Sequence, residues 1–292
     1  MSAARALYAA ALRFYGLLPH RLLGETTRVL GRARWPAPIV ETIVRAWVAR
    51  GRIDLADYEP RAYTTVEQFF LRELRPGARP LQAGFVSPAD GKLFAAGELD
   101  GGPLVVKQQV LDLARVVNGT QRALLAPAHA RRPLHALDLS PYAAGRYATV
   151  FLTPHGYHFV HAPVDARLRD VRWIPGRYFP QNATALSVIP RVYERNERAV
   201  LRFDSDAGPF LLVMVGASLI GGIELEGLAR ADWASAPPRA TTIERDVRKG
   251  ERLGHFTFGS TVVCLLSREL ARGAELRPEI GRALRLGETL FR

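Results

Sequence analysis

From Pro80 onward the chain breaks into short apolar runs separated by Gly, Pro and Asp. That punctuation suits strands and turns and leaves no room for long helices. Strands are predicted at 92–99 and Leu104–Val106, with Asp100-Gly101-Gly102 between them as a hairpin turn. Others are predicted at 147–153, 157–164, 167–173, 198–204, 209–215, 218–226 and 260–266. Residues 108–117 carry helical spacing, and 275–285 read as a short helix or an irregular tail. No internal repeat and no low-complexity linker interrupts the pattern.

Before Pro80 the period is helical. Residues 3–18 are apolar on most sides, are broken by Arg5 and Arg13, and end at Pro19. Arg13 and the lack of a following cleavage site argue against a secretory signal. Two readings of this helix stay open: it lies in a membrane interface with its arginines snorkelling to headgroups, or it packs on the protein's own body. A second helix is predicted over 38–50, with Ile39, Val40, Ile43, Val44, Trp47 and Val48 in one stripe. A third follows Thr65, whose spacing to Gln68 resembles a capping box, and stops before Pro76. Val66, Phe69, Phe70 and Leu74 line one of its faces. The expected fold class is therefore α+β: an N-terminal helical segment over 1–60, then a largely antiparallel β domain over 61–292.

Composition narrows the function classes. With 48% hydrophobic and 23% charged residues, the 292-residue chain has ordinary globular material and is not disordered. Its single cysteine, Cys264, excludes an intrachain disulfide framework and any multi-cysteine metal site. No apolar run reaches the roughly 18 residues of a spanning helix. The run 210–223 contains Gly216, Gly221 and Gly222, which suits buried strands. The net charge of +12 is almost all arginine, since Lys92, Lys107 and Lys249 are the only lysines. It reads either as a bias spread over solvated faces or as attraction to an anionic surface. No basic cluster interleaved with aromatics and no RNP-like motif points to nucleic acid.

Three stretches carry candidate chemistry. Residues 87–91 (SPADG) make a Pro/Gly-flanked bend in which Asp90 is either an ordinary Asx turn or a placed carboxylate. Residues 154–163 (PHGYHFVHAP) hold three of the seven histidines: His155, His158 and His161. A metal site is disfavoured, because residues three apart on a strand point to opposite faces and no further ligands are nearby. His158 and His161 are instead expected to face different surroundings and do different jobs. Residues 258–261 (FGST) lead into an apolar strand and offer Ser260 as a nucleophile needing a base and an orienter. One reading is a serine hydrolase with an Asp90/His161/Ser260 triad acting on an external ester. No G-x-S-x-G elbow is present, so an α/β-hydrolase is not expected. A membrane-binding module without catalysis is a further reading.

In that order and at those separations, residues 87–93 (SPADGKL), 157–165 (YHFVHAPVD) and 254–263 (GHFTFGSTVV) resemble the phosphatidylserine decarboxylase proenzyme family. Residues 63–81 resemble the helix before the family's core, and 174–182, 195–198, 215–217 and 223–224 resemble its central strands. The likeness covers about residues 60–266. Phe159, Phe258, Gly222 and the Leu225-Glu226 pair depart from the family's pattern.

The resemblance implies that the chain cuts itself between Gly259 and Ser260, giving a β chain of 1–259 and an α chain of 260–292. The serine hydroxyl would attack the preceding carbonyl, and β-elimination of the ester would leave an N-terminal pyruvoyl group derived from Ser260. By motif position, His161 would activate Ser260, Asp90 would hold and charge-stabilise that imidazole, and His158 would serve decarboxylation. The pyruvoyl ketone would form a Schiff base with phosphatidylserine and act as electron sink, yielding phosphatidylethanolamine and carbon dioxide. The segment 61–292 would then be the catalytic domain, and no metal is expected. The α and β chains would form a heterodimer that dimerises further, peripheral to the cell membrane on its cytoplasmic side.

Overall fold

The computed structural model describes residues 3–16, 18, 20–100, 104–106, 109–119, 135–217, 222–230, 239–257 and 260–292. Phe258 and Gly259, the turn at 101–103, Lys107 and Gly221 lie outside the described residues. The architecture is α+β, with three longer helices first: α1 (Ala3–Tyr15), α2 (His20–Arg32) and α3 (Ala37–Gly51). A short α4 (Val66–Phe70) follows, and then strands dominate.

The centre is an eight-stranded antiparallel sheet in the order β11-β7-β8-β9-β13-β5-β2-β14. Its strands are β2 (Gly91–Leu99), β5 (Gly145–Leu152), β7 (Ala166–Ile174), β8 (Arg198–Ser205), β9 (Gly208–Gly216), β11 (Arg239–Val247), β13 (Ser260–Leu266) and β14 (Ala283–Leu284). Both faces are covered, which is why 210–215 reads as a continuous apolar run. Phe210, Leu212 and Met214 enter one core cluster, and Leu211, Val213 and Val215 enter the other. On β13, Val262, Cys264 and Leu266 take the first face while Val263 and Leu265 take the second. This is the period of two expected of a strand. Each such buried side chain contributes about 1.5–3 kcal/mol, so β13 is a main anchor of the fold.

One face is closed by β1 (Phe85–Val86) paired with β15 (Thr289–Phe291), and by a three-stranded sheet. That sheet has the order β10-β12-β6, formed by β10 (Ile223–Leu225), β12 (Arg252–Phe256) and β6 (Phe159–His161). The other face is closed by β3 (Leu104–Val106) with β4 (Gln109–Leu111), by α5 (Leu113–Asn118) and by residues 185–193. Leu12 of α1 joins this second cluster, so the first helix does pack on the body. Leu7 and Phe14 of the same helix remain exposed.

Three local expectations are corrected. The strand at 92–99 makes no hairpin with 104–106: β2 pairs with β5 and β14, and β3 pairs with β4. The reason is burial, since Leu93 enters one core cluster and Phe94 and Ala95 the other. A three-residue partner cannot cover both. Helical spacing at 108–117 holds only for α5, because Asp112 caps it by accepting from the Arg115 backbone N–H at 3.3 Å. Before that cap, Gln109 runs in a strand and its side chain bonds the Leu186 carbonyl and the Val192 N–H. The third helix ends at Phe70 rather than near Pro76, and Leu74 instead bridges Tyr58.

Candidate active site

Ser260 is the first residue of β13, hydrogen-bonded into the sheet between Leu152 of β5 and Gly216 of β9. It is fully buried, and its hydroxyl has no hydrogen-bond partner among the described residues. A buried hydroxyl left unmatched costs on the order of 1–3 kcal/mol and is rare in native proteins. The backbone around it is braced heavily. The Gly216 carbonyl accepts from Gln181 Nε2 and Asn196 Nδ2, each at 2.9 Å. The Gln181 side-chain oxygen accepts in turn from the Thr261 hydroxyl. Asn196 also clasps both backbone groups of Phe179, and Glu197 holds Tyr178 at 2.9 Å and Arg230 at 2.6 Å.

The histidine strand is brought to this point by β12. His161 pairs in register with Arg252 and Phe159 with His255, and the Phe256 N–H donates to the His158 carbonyl at 3.1 Å. The chain then passes from Phe256 towards Ser260, so the second and third motifs run side by side. The first motif joins through the backbone: the His161 N–H donates to Pro88 at 2.8 Å, and the Val86 N–H to Pro163 at 3.1 Å.

His161 is 8% exposed and uses both ring nitrogens. Nδ1 lies 2.8 Å from the Gly250 carbonyl, an acceptor only, so Nδ1 carries the proton. Nε2, 3.0 Å from Tyr157 Oη, then accepts from the phenol. Burial lowers the His161 pKa, keeping it neutral with its basic lone pair on Nε2. Gly250 holds φ +80°, and a Cβ there would meet Leu81 at 2.6 Å, so this turn requires glycine.

His158 is fully buried. Its ring stacks on Phe70 of α4 with centroids 3.8 Å apart, and the Thr153 and Gly156 backbone carbonyls act on its nitrogens without a well-formed hydrogen bond to either. Desolvation, then the neighbouring Arg72 cation, pushes its pKa well below the ordinary histidine value. The two imidazoles therefore have different surroundings, as the strand spacing predicts. Among the described residues no group of three or more His, Cys, Asp or Glu side chains could hold a metal ion.

Asp90 lies near His161 and its charge acts to raise that pKa, yet it makes no hydrogen bond to the imidazole. Its carboxylate is engaged by Arg79, at 2.9 and 2.7 Å from Nε and Nη2, and by the Leu286 backbone N–H at 2.7 Å. Arg79 also holds Asp57 at 2.8 Å. In place of the expected Asp–His hydrogen bond, Nδ1 of His161 meets the Gly250 carbonyl, and Arg79 is a site residue the sequence did not reveal. It sits in an irregular segment with no periodicity to mark it. Gln181 and Asn196 were also missed; polar residues inside apolar strand neighbourhoods are their only signal. Phe159 is buried under the Arg252 guanidinium, 3.8 Å from the ring centroid.

The phosphatidylserine decarboxylase family model matches residues 66–292. This chain belongs to that family. It is 33% identical to the phosphatidylserine decarboxylase proenzyme of Stenotrophomonas maltophilia, covering 91% of this chain and 95% of the relative. It is 34% identical to the protein of the same description from Methylibium petroleiphilum, with 94% of each chain covered. A third relative so described, from Bordetella pertussis, is 31% identical over 94% of this chain and 91% of its own. As a member of the family, the chain is a carboxy-lyase. Neither the site nor these relatives support the serine hydrolase reading.

Proposed function

We propose that this carboxy-lyase is a self-processing proenzyme that cuts between Gly259 and Ser260 and then decarboxylates phosphatidylserine to phosphatidylethanolamine. The observation that carries the reading is the buried, unmatched Ser260 hydroxyl at the head of the central strand, in a fold that also holds His158 and His161 buried and neutral. Ser260 Oγ attacks the Gly259 carbonyl carbon while Nε2 of His161 accepts its proton once Tyr157 yields that position. The acyl group moves from nitrogen to oxygen. Removal of the Ser260 Cα proton expels the Gly259 carboxylate, and hydrolysis of the resulting dehydroalanine releases ammonia and leaves a ketone. Gly250 holds the His161 tautomer that this proton transfer needs. Asp90, fixed by Arg79, supplies a negative charge near the imidazolium that forms.

Gln181 and Asn196 hold the Gly216 carbonyl and so keep the strand beside Ser260 rigid. The pyruvoyl group supplies an electron-withdrawing carbonyl that stabilises the carbanion left by departing carbon dioxide. His158, neutral and with neither nitrogen tied up in a well-formed hydrogen bond, places the proton in that step. The dry surroundings of Phe70 and Tyr157 favour loss of the carboxylate's charge.

The reading divides the chain into a membrane-associating segment, 1–60, and a catalytic domain, 61–292. Leu7, Phe14, Val29, Leu30, Ile39 and Ile43 are exposed on the first three helices of a chain with charge +12. No helix of the described residues is long and apolar enough to cross a membrane. A peripheral, cytoplasmic-side location suits those features. Intact mass under denaturing conditions tests the core of the proposal. Cleavage gives chains of 259 and 33 residues, the smaller about 3.7 kDa in proportion to 32.3 kDa for the whole. A mature preparation that remains one chain while decarboxylating phosphatidylserine would overturn it.

A further inference from the structure

The turn that precedes His158 is gripped from the helical side of the molecule. Trp47 of α3 donates its indole N–H to Nδ1 of His155 at 2.8 Å. The Gly51 Cα, one turn further along α3, lies so close that a Cβ there would meet the His155 ring at 2.6 Å. Arg72 donates to the carbonyls of His155 and Gly156 at 2.5 and 2.9 Å, and its guanidinium lies over the Tyr58 and Phe69 rings. Trp47 packs edge-on against Phe69 and tilted against Phe70, and Phe70 is the ring on which His158 stacks. Ile39 and Ile43 on the same α3 are exposed. One helix therefore touches solvent on one side and the support of His158 on the other.

We propose that Trp47 and His155 are positioning residues for decarboxylation: their hydrogen bond latches the 153–156 turn to α3, sets the depth of His158, and opens when His155 takes up a proton. An indole N–H can only donate, so the bond requires a bare Nδ1 on His155. The groups facing that imidazole are Arg50 of α3, Arg72 and, on its own turn, His158. Burial first, then the two arginines, lowers the pKa of His155, so the latch is closed at neutral pH and opens on the acid side. The inference rests on the proposed role of His158, but not on the cleavage chemistry.

The test uses the full chain, with phosphatidylserine in mixed micelles, kcat and KM measured across the acid-to-neutral range, and cleavage followed separately by intact mass. Trp47→Phe keeps the ring and loses the donor; it is expected to cleave normally, with KM unchanged and kcat lowered about two- to tenfold. His155→Leu should match it. His155→Asn keeps an acceptor at the δ position without a titrating ring, so it should retain kcat and lose the acid-side fall. His155→Leu and His155→Asn with equal kcat and equal pH profiles would overturn the latch, even if Trp47→Phe fails to fold. His158→Ala that cleaves and still decarboxylates at the parent rate would instead overturn the role given to His158.

Discussion

His161 sits within the β-scaffold and His158 beneath the helices, and the two regions hold an imidazole in opposite ways. The scaffold occupies both nitrogens of His161, with Gly250 and Tyr157 fixing its tautomer and its lone pair. The helical side gives His158 a ring to stack on, and the Thr153 and Gly156 carbonyls act on its nitrogens without a well-formed hydrogen bond. On the proposed assignment, a base that acts once, on its own backbone, is aimed by rigid hydrogen bonds, and a group that meets a substrate repeatedly is kept neutral by desolvation and placed by packing.

The sharpest way to break this contrast is to remove the atom both histidines are proposed to serve. Ser260→Ala is expected to leave a single chain of 32.3 kDa and no measurable decarboxylation. Next come the histidines themselves. His161→Ala should slow cleavage about 10²–10⁴-fold, while His158→Ala should cleave and lose a similar factor in decarboxylation. Mass spectrometry and carbon dioxide release separate the two, and exchanged phenotypes would reverse the assignment.

Arg79→Ala strips Asp90 of its guanidinium and is expected to cost about 3 kcal/mol, read as a lower urea midpoint. The pH dependence should follow the same division. His158 has a folded pKa well below 6.5, so the unfolded chain binds a proton that the folded chain refuses. That contribution is whole above the unfolded value and is lost as pH falls below 6.5 towards the folded one. Thermal unfolding across this range should show a shallower acid-side fall for His158→Leu. The smallest effect is expected from Tyr157→Phe, which frees Nε2 of His161. Cleavage should quicken by a few-fold, while stability drops by about 1 kcal/mol.

Much of the sheet was legible because its strands are buried on both faces and carry little else. The strand predicted at 260–266 coincides with β13, and those at 198–204 and 209–215 lie within β8 and β9. Strands β11 and β12 were not legible. β11 is an edge strand with Glu244 at φ 52° in a bulge, and its charges pair with Arg167 and Arg169 rather than alternating with apolar residues. Helix α2 carries too few apolar residues to announce itself, and it is held by Arg32 on Glu67 and Glu224. Within the site, the residues in compact motifs were singled out by residue type and by the resemblance those motifs carry. Arg79, Gln181 and Asn196 could not, because their importance lies in contacts made across long stretches of chain.

Ser260 opens a strand that is laced to a neighbour along each edge, and the tail beyond it adds β14 to β2 and β15 to β1. The proposed cut just before it would therefore interrupt covalent continuity without unfastening the sheet. The released piece would behave as an internal stave rather than a leaving peptide. Its fresh terminus would be born already moored between two walls, with no later docking step needed.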